Sequence, residues 1–348
     1  MKVLHVCAYA APYGGNFIKS LLYLDQELNK RNIETIFCFP EKCKTLEWCI
    51  CLENTHKVYY VPLAKARIKL KTYILLKKIF KENPDILVAH SHFELYDEPL
   101  AITAPKQVKV FWHLHDAIGN YLHGIYRLVW KLHYNLFIKN VQLLSVSEKH
   151  RRVVVELGFP KERTYYIPNG IDVDSIKPVE NLKQDIYTFT IFGWDYIRKG
   201  VDLAIKCIRN MNTNAKLVIV TNSRELDAGA KVEYVEPSSD VNDVFVHSSC
   251  FLHISRAEGL SYALLEALYS GMPVIVSDIE ENLIAKECPT AFYVQSENIE
   301  QIGKLMNDFS SKDYKCTEEE ISKTRSIIKE KYSLQAWSKA IIQKYGLL

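Results

Sequence analysis

Residues Ser255 to Asp278 read SRAEGLSYALLEALYSGMPVIVSD, and the way this string divides decides the fold. Gly259, directly after Glu258, is a poor helix interior, which places Glu258 in a loop. Ser261 caps a helix running to about Ser270, and Gly271 followed by Pro273 stops it. The remaining PVIVSD is apolar on both faces, the mark of a parallel strand covered on both sides. The segment is therefore loop, helix, strand, with one acid at the helix mouth and a second, Glu266, inside the helix. Ala263, Leu264, Leu265, Ala267 and Leu268 surround Glu266, and a carboxylate in such apolar company needs donors. Free N–H groups at the helix start suit an anion. A ligand with a phosphate flanked by hydroxyl groups fits this arrangement; a surface Glu and a half-exposed helical Glu are the plainer alternative.

The same alternation extends outward in both directions. Strand-like runs recur as KVLHVCAY, ETIFCFP, KVYYVPL, DILVAHSH, KVFWHLHD and QLLSVS, with helix-like stretches at Phe17–Asn29 and Ile125–Ile138. Near Asn181 the composition turns polar. The pattern then restarts with YTFTIFGW, the helix VDLAIKCIRN, AKLVIVTN, VEYVEP, the helix DVNDVFVHS and CFLHIS. Strands alternating with helices imply parallel βαβ units. Two such runs imply an α/β protein of two Rossmann-like parallel-sheet domains facing across a cleft, with ligands bound beyond the carboxyl ends of the strands.

Composition sets outer limits. The 348 residues exceed one ordinary core and suit two. Contents of 48% hydrophobic and 24% charged residues are those of a soluble protein, and no run approaches a membrane span. The opening MKVLHVCAYAAPYGG has too short an apolar run for a signal peptide and suits a first core strand. Nine cysteines show no zinc spacing, which favours reduced thiols and a cytoplasmic location. A net charge of +3 calls for no nucleic acid. Charge is uneven, however. From Val61 to Glu82 seven Lys or Arg stand against one Glu, and Leu70, Ile74, Leu75, Ile79 and Phe80 fall near helical spacing. A basic amphipathic helix is expected there. It is either a solvated outer face or a peripheral contact, through Lys65–Lys81, with an anionic membrane or a phosphate-bearing acceptor.

Three loops stand where such sheets bind ligands. PYGGN (Pro12–Asn16) places Gly14, Gly15 and Asn16 between strand and helix, where backbone can approach a ligand and a helix start favours phosphate. It is not GxGxxG, so a nicotinamide cofactor is unsupported. KVFWHLHD ends in His115 and Asp116; a histidine there serves a sugar hydroxyl or a proton transfer, whereas His113 reads equally as a satisfied core residue. In IFGWDYIRKG, Arg198 and Lys199 precede Gly200 and a helix, a suitable clamp for a diphosphate.

Together these segments resemble glycosyltransferase family 4, retaining enzymes of the GT-B fold, along nearly the whole chain. Glu258 to Glu266 looks like the family's E-x7-E motif, followed by its GxPV strand at Gly271, Pro273 and Val274. IPNGIDVDSIKP (Ile167–Pro178) looks like the interdomain segment, and the last stretch, SLQAWSKAIIQKYGLL, like a terminal helix returning to the first domain. The resemblance implies domains at 1–175 and 176–333, with 334–348 packed back on the first. It implies that Glu266 holds the ribose of a nucleotide-sugar and that Glu258 contacts the transferred sugar near the reacting carbon. The amides of Gly259, Leu260 and Ser261 would line sugar and phosphates. Lys199 matches the family's diphosphate lysine and His115 its donor-sugar histidine; Gly14, Gly15, Asn16, Asp116 and Gly193 complete the donor set. The family usually carries Arg after Gly193, where this chain has Trp194, and Arg198 is expected to supply that charge.

The implied activity is metal-independent hexosyl transfer, with retention, from a UDP-sugar to a glycan or lipid-linked glycan in cell-surface polysaccharide synthesis. Its expected place is the cytoplasm, peripheral to the inner membrane face. Asp172-Val-Asp174 reads DxD but lies in the interdomain segment, so no metal is expected there. A GT-B-like nucleotide-sugar epimerase and a catalytically idle sugar-binding module are the alternatives. Acceptor-facing loops at 42–55, 93–105 and 120–126 show no interpretable pattern.

Overall fold

The computed structural model describes residues 1–62, 69–115, 128–129, 131–132, 136, 140–179, 185–222, 229–238 and 240–347. The chain divides into two compact units, residues 1–169 with 337–348 and residues 170–336. Each is built on a parallel sheet, as the strand–helix alternation requires.

In the first unit β1 (Lys2–Cys7), β2 (Glu34–Pro40), β3 (Lys57–Val61), β4 (Ile86–His92), β5 (Lys109–Leu114), β6 (Val141–Ser145) and β7 (Thr164–Tyr166) form a seven-stranded sheet. Their order is β3-β2-β1-β4-β5-β6-β7. The helices are α1 (Gly15–Asn29), α2 (Glu47–Glu53), α3 (Lys69–Glu82), α4 (Asp97–Thr103) and α5 (Glu148–Glu156). In the second unit β8 (Tyr187–Phe192), β9 (Ala215–Val220), β10 (Val232–Val235), β11 (Cys250–His253), β12 (Val274–Ser277) and β13 (Ala291–Val294) form a six-stranded sheet in the order β10-β9-β8-β11-β12-β13. Its helices are α6 (Val201–Arg209), α7 (Asn242–Phe245), α8 (Tyr262–Ser270), α9 (Ile299–Lys312) and α10 (Glu318–Tyr332). The last helix, α11 (Leu334–Tyr345), carries the chain back into the first unit.

Strand order positions the candidate loops. In each sheet the chain winds outward one way and then reverses, between β1 and β4 in the first and between β8 and β11 in the second. Crevices for ligands form at such reversals, outside the carboxyl ends of the strands. The loops after β1 and β5 carry Gly14, Gly15 and His115; those after β8 and β11 carry Lys199 and Glu258. Asp116 lies outside the described residues.

Both faces of the first sheet are apolar, which is why its strands read as continuous hydrophobic runs. Leu4, Val6, Ile36, Ala89 and Trp112 pack with Leu76, Ile79, Leu100 and Val154 of α3, α4 and α5 and with Tyr96, the N-cap of α4. On other packing surfaces Val3, Val88, Phe111 and Leu144 meet Leu24 and Leu28 of α1 and Trp337, Ile341, Ile342 and Tyr345 of α11.

Two local features differ from the sequence reading. Within 42–55 and 93–105 the chain forms α2 and α4 rather than featureless loops, because Cys49, Leu52, Tyr96 and Leu100 are drawn into the core. In α3 the apolar residues do not form one stripe: Leu76, Ile79 and Phe80 face the core, whereas Leu70 and Ile74 are 72% and 60% exposed. Lys65 and Arg67 lie outside the described residues. Of the helix expected at Ile125–Ile138, Leu128, Val129, Lys131, Leu132 and Leu136 are described; they are helical and exposed.

Candidate functional site

Two glycines shape the loop after β8. A Cβ on Gly193 would lie 2.8 Å from Val201 Cγ2 and 3.0 Å from Ile219 Cγ2, so only glycine lets the loop pack down on α6 and β9. Gly200 has φ +77°, and its Cβ would fall 2.4 Å from the Ile254 carbonyl oxygen. Both the left-handed backbone and the close approach require glycine. That approach brings the β8 loop against the loop after β11, where the Arg256 amide donates to the Arg198 carbonyl at 2.8 Å.

Lys199 and Glu258 meet there. Lys199 Nζ donates to Glu258 Oε1 at 2.6 Å, and both side chains are buried. Arg198 Nη1 lies 3.5 Å from Glu258 Oε2 and donates to the Ala257 carbonyl at 3.2 Å; its Nε donates to Asp195 Oδ2 at 2.9 Å. The Trp194 ring, 64% exposed, lies beneath both cations, 4.3 Å from the Arg198 guanidinium carbon and 5.0 Å from Lys199 Nζ. An exposed ring face is a good seat for cations. Trp194 thus stacks on the cations, in the position where the family resemblance leads one to expect an arginine.

Burial and the ion pair act in opposition on these two groups. Burial pushes the Lys199 ammonium below its ordinary range, with Glu258 working against that shift. Burial also opposes the charge on Glu258, but Lys199 and then His253 hold its carboxyl below the usual carboxylate range. His253 Nε2 lies 4.0 Å from Glu258 Oε1, and burial pushes this imidazole down to about 4.

Past Gly259 and the buried Leu260, Ser261 Oγ accepts from the Leu264 amide at 3.4 Å and caps α8. Glu266 is buried in that helix, and Gly271, with φ 96°, ends it. In the first unit Gly14 is the N-cap of α1, Gly15, with φ +55°, is its first residue and Asn16 its second. Tyr9 Oη donates to the Tyr13 carbonyl at 2.9 Å and Trp48 Nε1 to that of Ala11 at 3.1 Å, closing this loop.

His115 follows β5 and stands in a group that sequence reading saw only in part. His5, His90, His92 and His113 are buried beside it. The signal was present as paired histidines two residues apart, one pair within β4 and one at the end of β5, a spacing that puts each pair on one sheet face; which strands adjoin was not readable. Among the described residues, the His, Cys, Asp or Glu groups close enough to share an ion are His5/His90/His92 and His92/His113/His115. Asp172 and Asp174 form no such group.

A model of Glycosyltransferase Family 4 matches residues 19–175, and one of Glycosyl transferases group 1 matches residues 172–332. The chain is 25% identical over 256 residues to an uncharacterized glycosyltransferase of Methanocaldococcus jannaschii, a match covering 64% of this chain and 63% of that one. The chain thus spans less than two thirds of that relative's length. It is 24% identical over 268 residues to the UDP-Gal:alpha-D-GlcNAc-diphosphoundecaprenol alpha-1,3-galactosyltransferase of Escherichia coli, covering 66% of this chain and 68% of the relative. Among solved structures, Anabaena HepE in complex with UDP and glucose superposes with a TM-score of 0.80 at 15% identity over the whole of both chains. The crystal structure of WaaG, described as a glycosyltransferase involved in lipopolysaccharide biosynthesis, does so with a TM-score of 0.69 at 15% identity over 99% of each.

Proposed function

Since the chain belongs to glycosyltransferase family 4, we propose that it moves a hexosyl residue from a UDP-sugar to a glycan or lipid-linked glycan, with retention and without a metal. The buried Lys199–Glu258 pair, beside Arg198 at the strand reversal of the second sheet, is the observation that carries this reading. Breaking the bond between sugar and diphosphate builds negative charge on the departing nucleotide. Lys199 and Arg198 are fixed cations, Lys199 buried and Arg198 half-buried, and such charge is stabilised most where water is excluded. Arg198 supplies the charge that Trp194 does not. Glu258 lies against the reacting sugar carbon, with the Gly259, Leu260 and Ser261 amides along sugar and phosphates and Glu266 on the ribose hydroxyls. Gly14, Gly15, Asn16, His115 and Asp116 complete the donor contacts, and Gly193 lets the cation loop pack closely. The E. coli relative, named for a galactosyl transfer from UDP-Gal to a diphosphoundecaprenol acceptor, and the UDP-bound HepE structure support the choice of donor and acceptor class.

Thermal shift against UDP-, GDP- and ADP-sugars tests the donor. A UDP-sugar at a hundredfold excess over its Kd is expected to stabilise the protein by about 2.7 kcal/mol. Transfer of labelled sugar from it to a lipid-linked acceptor should proceed equally in EDTA. Stabilisation by none of the three, or release of an altered sugar with no acceptor present, sinks the reading.

The same proposal places the protein peripherally on the inner, cytoplasmic membrane face through Lys65–Lys81. No described helix is long and apolar enough to cross a membrane. Exposed Leu70 and Ile74 beside exposed Lys71, Lys77 and Lys78 give α3 the composition of a helix that lies on anionic lipid. Flotation should show the protein rising with anionic vesicles and staying behind with neutral ones, and Leu70→Ser with Ile74→Ser should weaken the association. Equal partitioning into both vesicle types removes this part of the proposal.

A further inference from the structure

The histidines of the first sheet form an ordered chain. Register sets His5 of β1 beside His90 of β4 and His92 of β4 beside His113 of β5. His5 Nδ1 lies 3.0 Å from His92 Nε2, and His92 Nδ1 lies 3.0 Å from His115 Nε2. At that separation one proton sits between each pair of nitrogens. Burial keeps the rings neutral, pushing His5 and His115 down to about 3 and His92 well below its ordinary value. A neutral imidazole has one N–H and one acceptor nitrogen. His92 therefore donates in one direction and accepts from the other, and every N–H along the chain points the same way.

The inner end decides which way. His5 Nε2 has no hydrogen-bond partner, and neither has Asp25 Oδ1. Asp25 is the charge that acts on His5 against burial. Its other oxygen, Oδ2, accepts from Asn29 Nδ2 at 2.9 Å and lies 2.9 Å from His56 Nε2. A negative charge beyond His5 favours N–H bonds directed inward, as a buried carboxylate does for a single histidine in a hydrolase triad. At the outer end the His115 ring is held by Phe93, stacked at 4.5 Å, by His113 at 4.1 Å, and by the edge contact of Phe17 at 5.5 Å.

We propose that Asp25, His5 and His92 are positioning residues that hold His115 as its Nε2–H tautomer, leaving Nδ1 a bare lone pair that accepts a hydrogen bond from a hydroxyl of the donor sugar. This deepens the assignment of His115 to the donor sugar and rests on it. The arrangement suits hydrogen bonding better than a shared metal ion. An ion lies in the plane of each ring that binds it, yet His90 stacks on His92 at 4.0 Å and 28°, and His113 lies over His115 at 4.1 Å, tilted by 36°. Rings that face one another in this way do not aim their nitrogens at one point.

Long-range proton–nitrogen correlation NMR of protein labelled with 15N-histidine, without substrate at neutral pH, reads each tautomer directly. His5, His92 and His115 are expected as Nε2–H. Asp25→Asn removes the orienting charge and His92→Phe severs the chain; in each, His115 is expected to become a mixture, with His92→Gln restoring part of the preference. The wild-type spectrum alone overturns the proposal if His115 carries its proton on Nδ1. So does an unchanged His115 in both Asp25→Asn and His92→Phe, or uptake of one Co2+ per chain by chelator-treated protein with a visible absorption band. Undiminished turnover in His115→Ala would instead sink the donor-contact assignment and leave the tautomer result standing.

Discussion

Lys199→Met lowers turnover of the donor by roughly 10²–10³-fold, the loss typical of removing one fixed donor to developing negative charge. The same substitution destabilises the second unit, because it leaves the buried Glu258 carboxylate without its nearest cation. Removing one partner of a buried pair costs about 3–5 kcal/mol. Adding Glu258→Gln separates the two effects. With the carboxylate neutral, much of the stability returns, whereas turnover stays low because the cation and the carboxylate at the reacting carbon are both missing. Steady-state kinetics and urea unfolding of the parent, both single variants and the double variant close the cycle. Parent-level turnover in Lys199→Met would remove the residue from the chemistry, and additive stability losses would mean that the 2.6 Å contact carries no coupling.

Trp337→Ala is expected to cost about 3–5 kcal/mol, as for other large core aromatics. Trp337 is buried among Val3, Leu24, Leu28, Val88 and Phe111, all of the first unit. At the size of that unit the loss corresponds to roughly 10 °C in its melting temperature. Hydrogen exchange should rise in β1, β4 and β5 and stay at the parent level in β8, β9 and β11. Tyr345 belongs to the same patch: its hydroxyl lies 2.6 Å from His90 Nδ1, and its carbonyl accepts from Lys109 Nζ at 2.9 Å. Exchange that rises equally in both units, or not at all, would contradict this account of what α11 holds together.

Runs such as ETIFCFP, DILVAHSH and AKLVIVTN declare themselves as strands because a parallel sheet buries both their faces. Alternation with helices was enough to specify two such sheets. Edge elements were harder: β7 has three residues and β13 four, all of the latter but Val294 only half-buried, too short for any period to show. Helix α10 does advertise itself, through the capping box of Thr317 and Glu320. Helical spacing revealed α3 but not its inward face, since a five-residue apolar set fits more than one orientation and only packing chose Leu76 over Leu70.

The site divides in the same way. Glycines with enforced backbone, such as Gly200, and cations just before a helix are local signals. The contact between Lys199 and Glu258, 59 residues apart, depends on β8 and β11 being neighbours, which strand order decides. Likewise the histidine chain needed β1, β4 and β5 side by side, although each histidine was plain in the string.

The return of α11 also has a meaning for biosynthesis. As the polypeptide leaves the ribosome, its first 169 residues appear with a bare greasy trough where Trp337, Ile341, Ile342 and Tyr345 will later sit. Residues 170–336 must be translated before the missing piece arrives, a wait of roughly ten to thirty seconds at ordinary elongation speeds. Throughout that interval the trough lies open to chaperones, and a nonsense codon at or just before position 337 would leave it so.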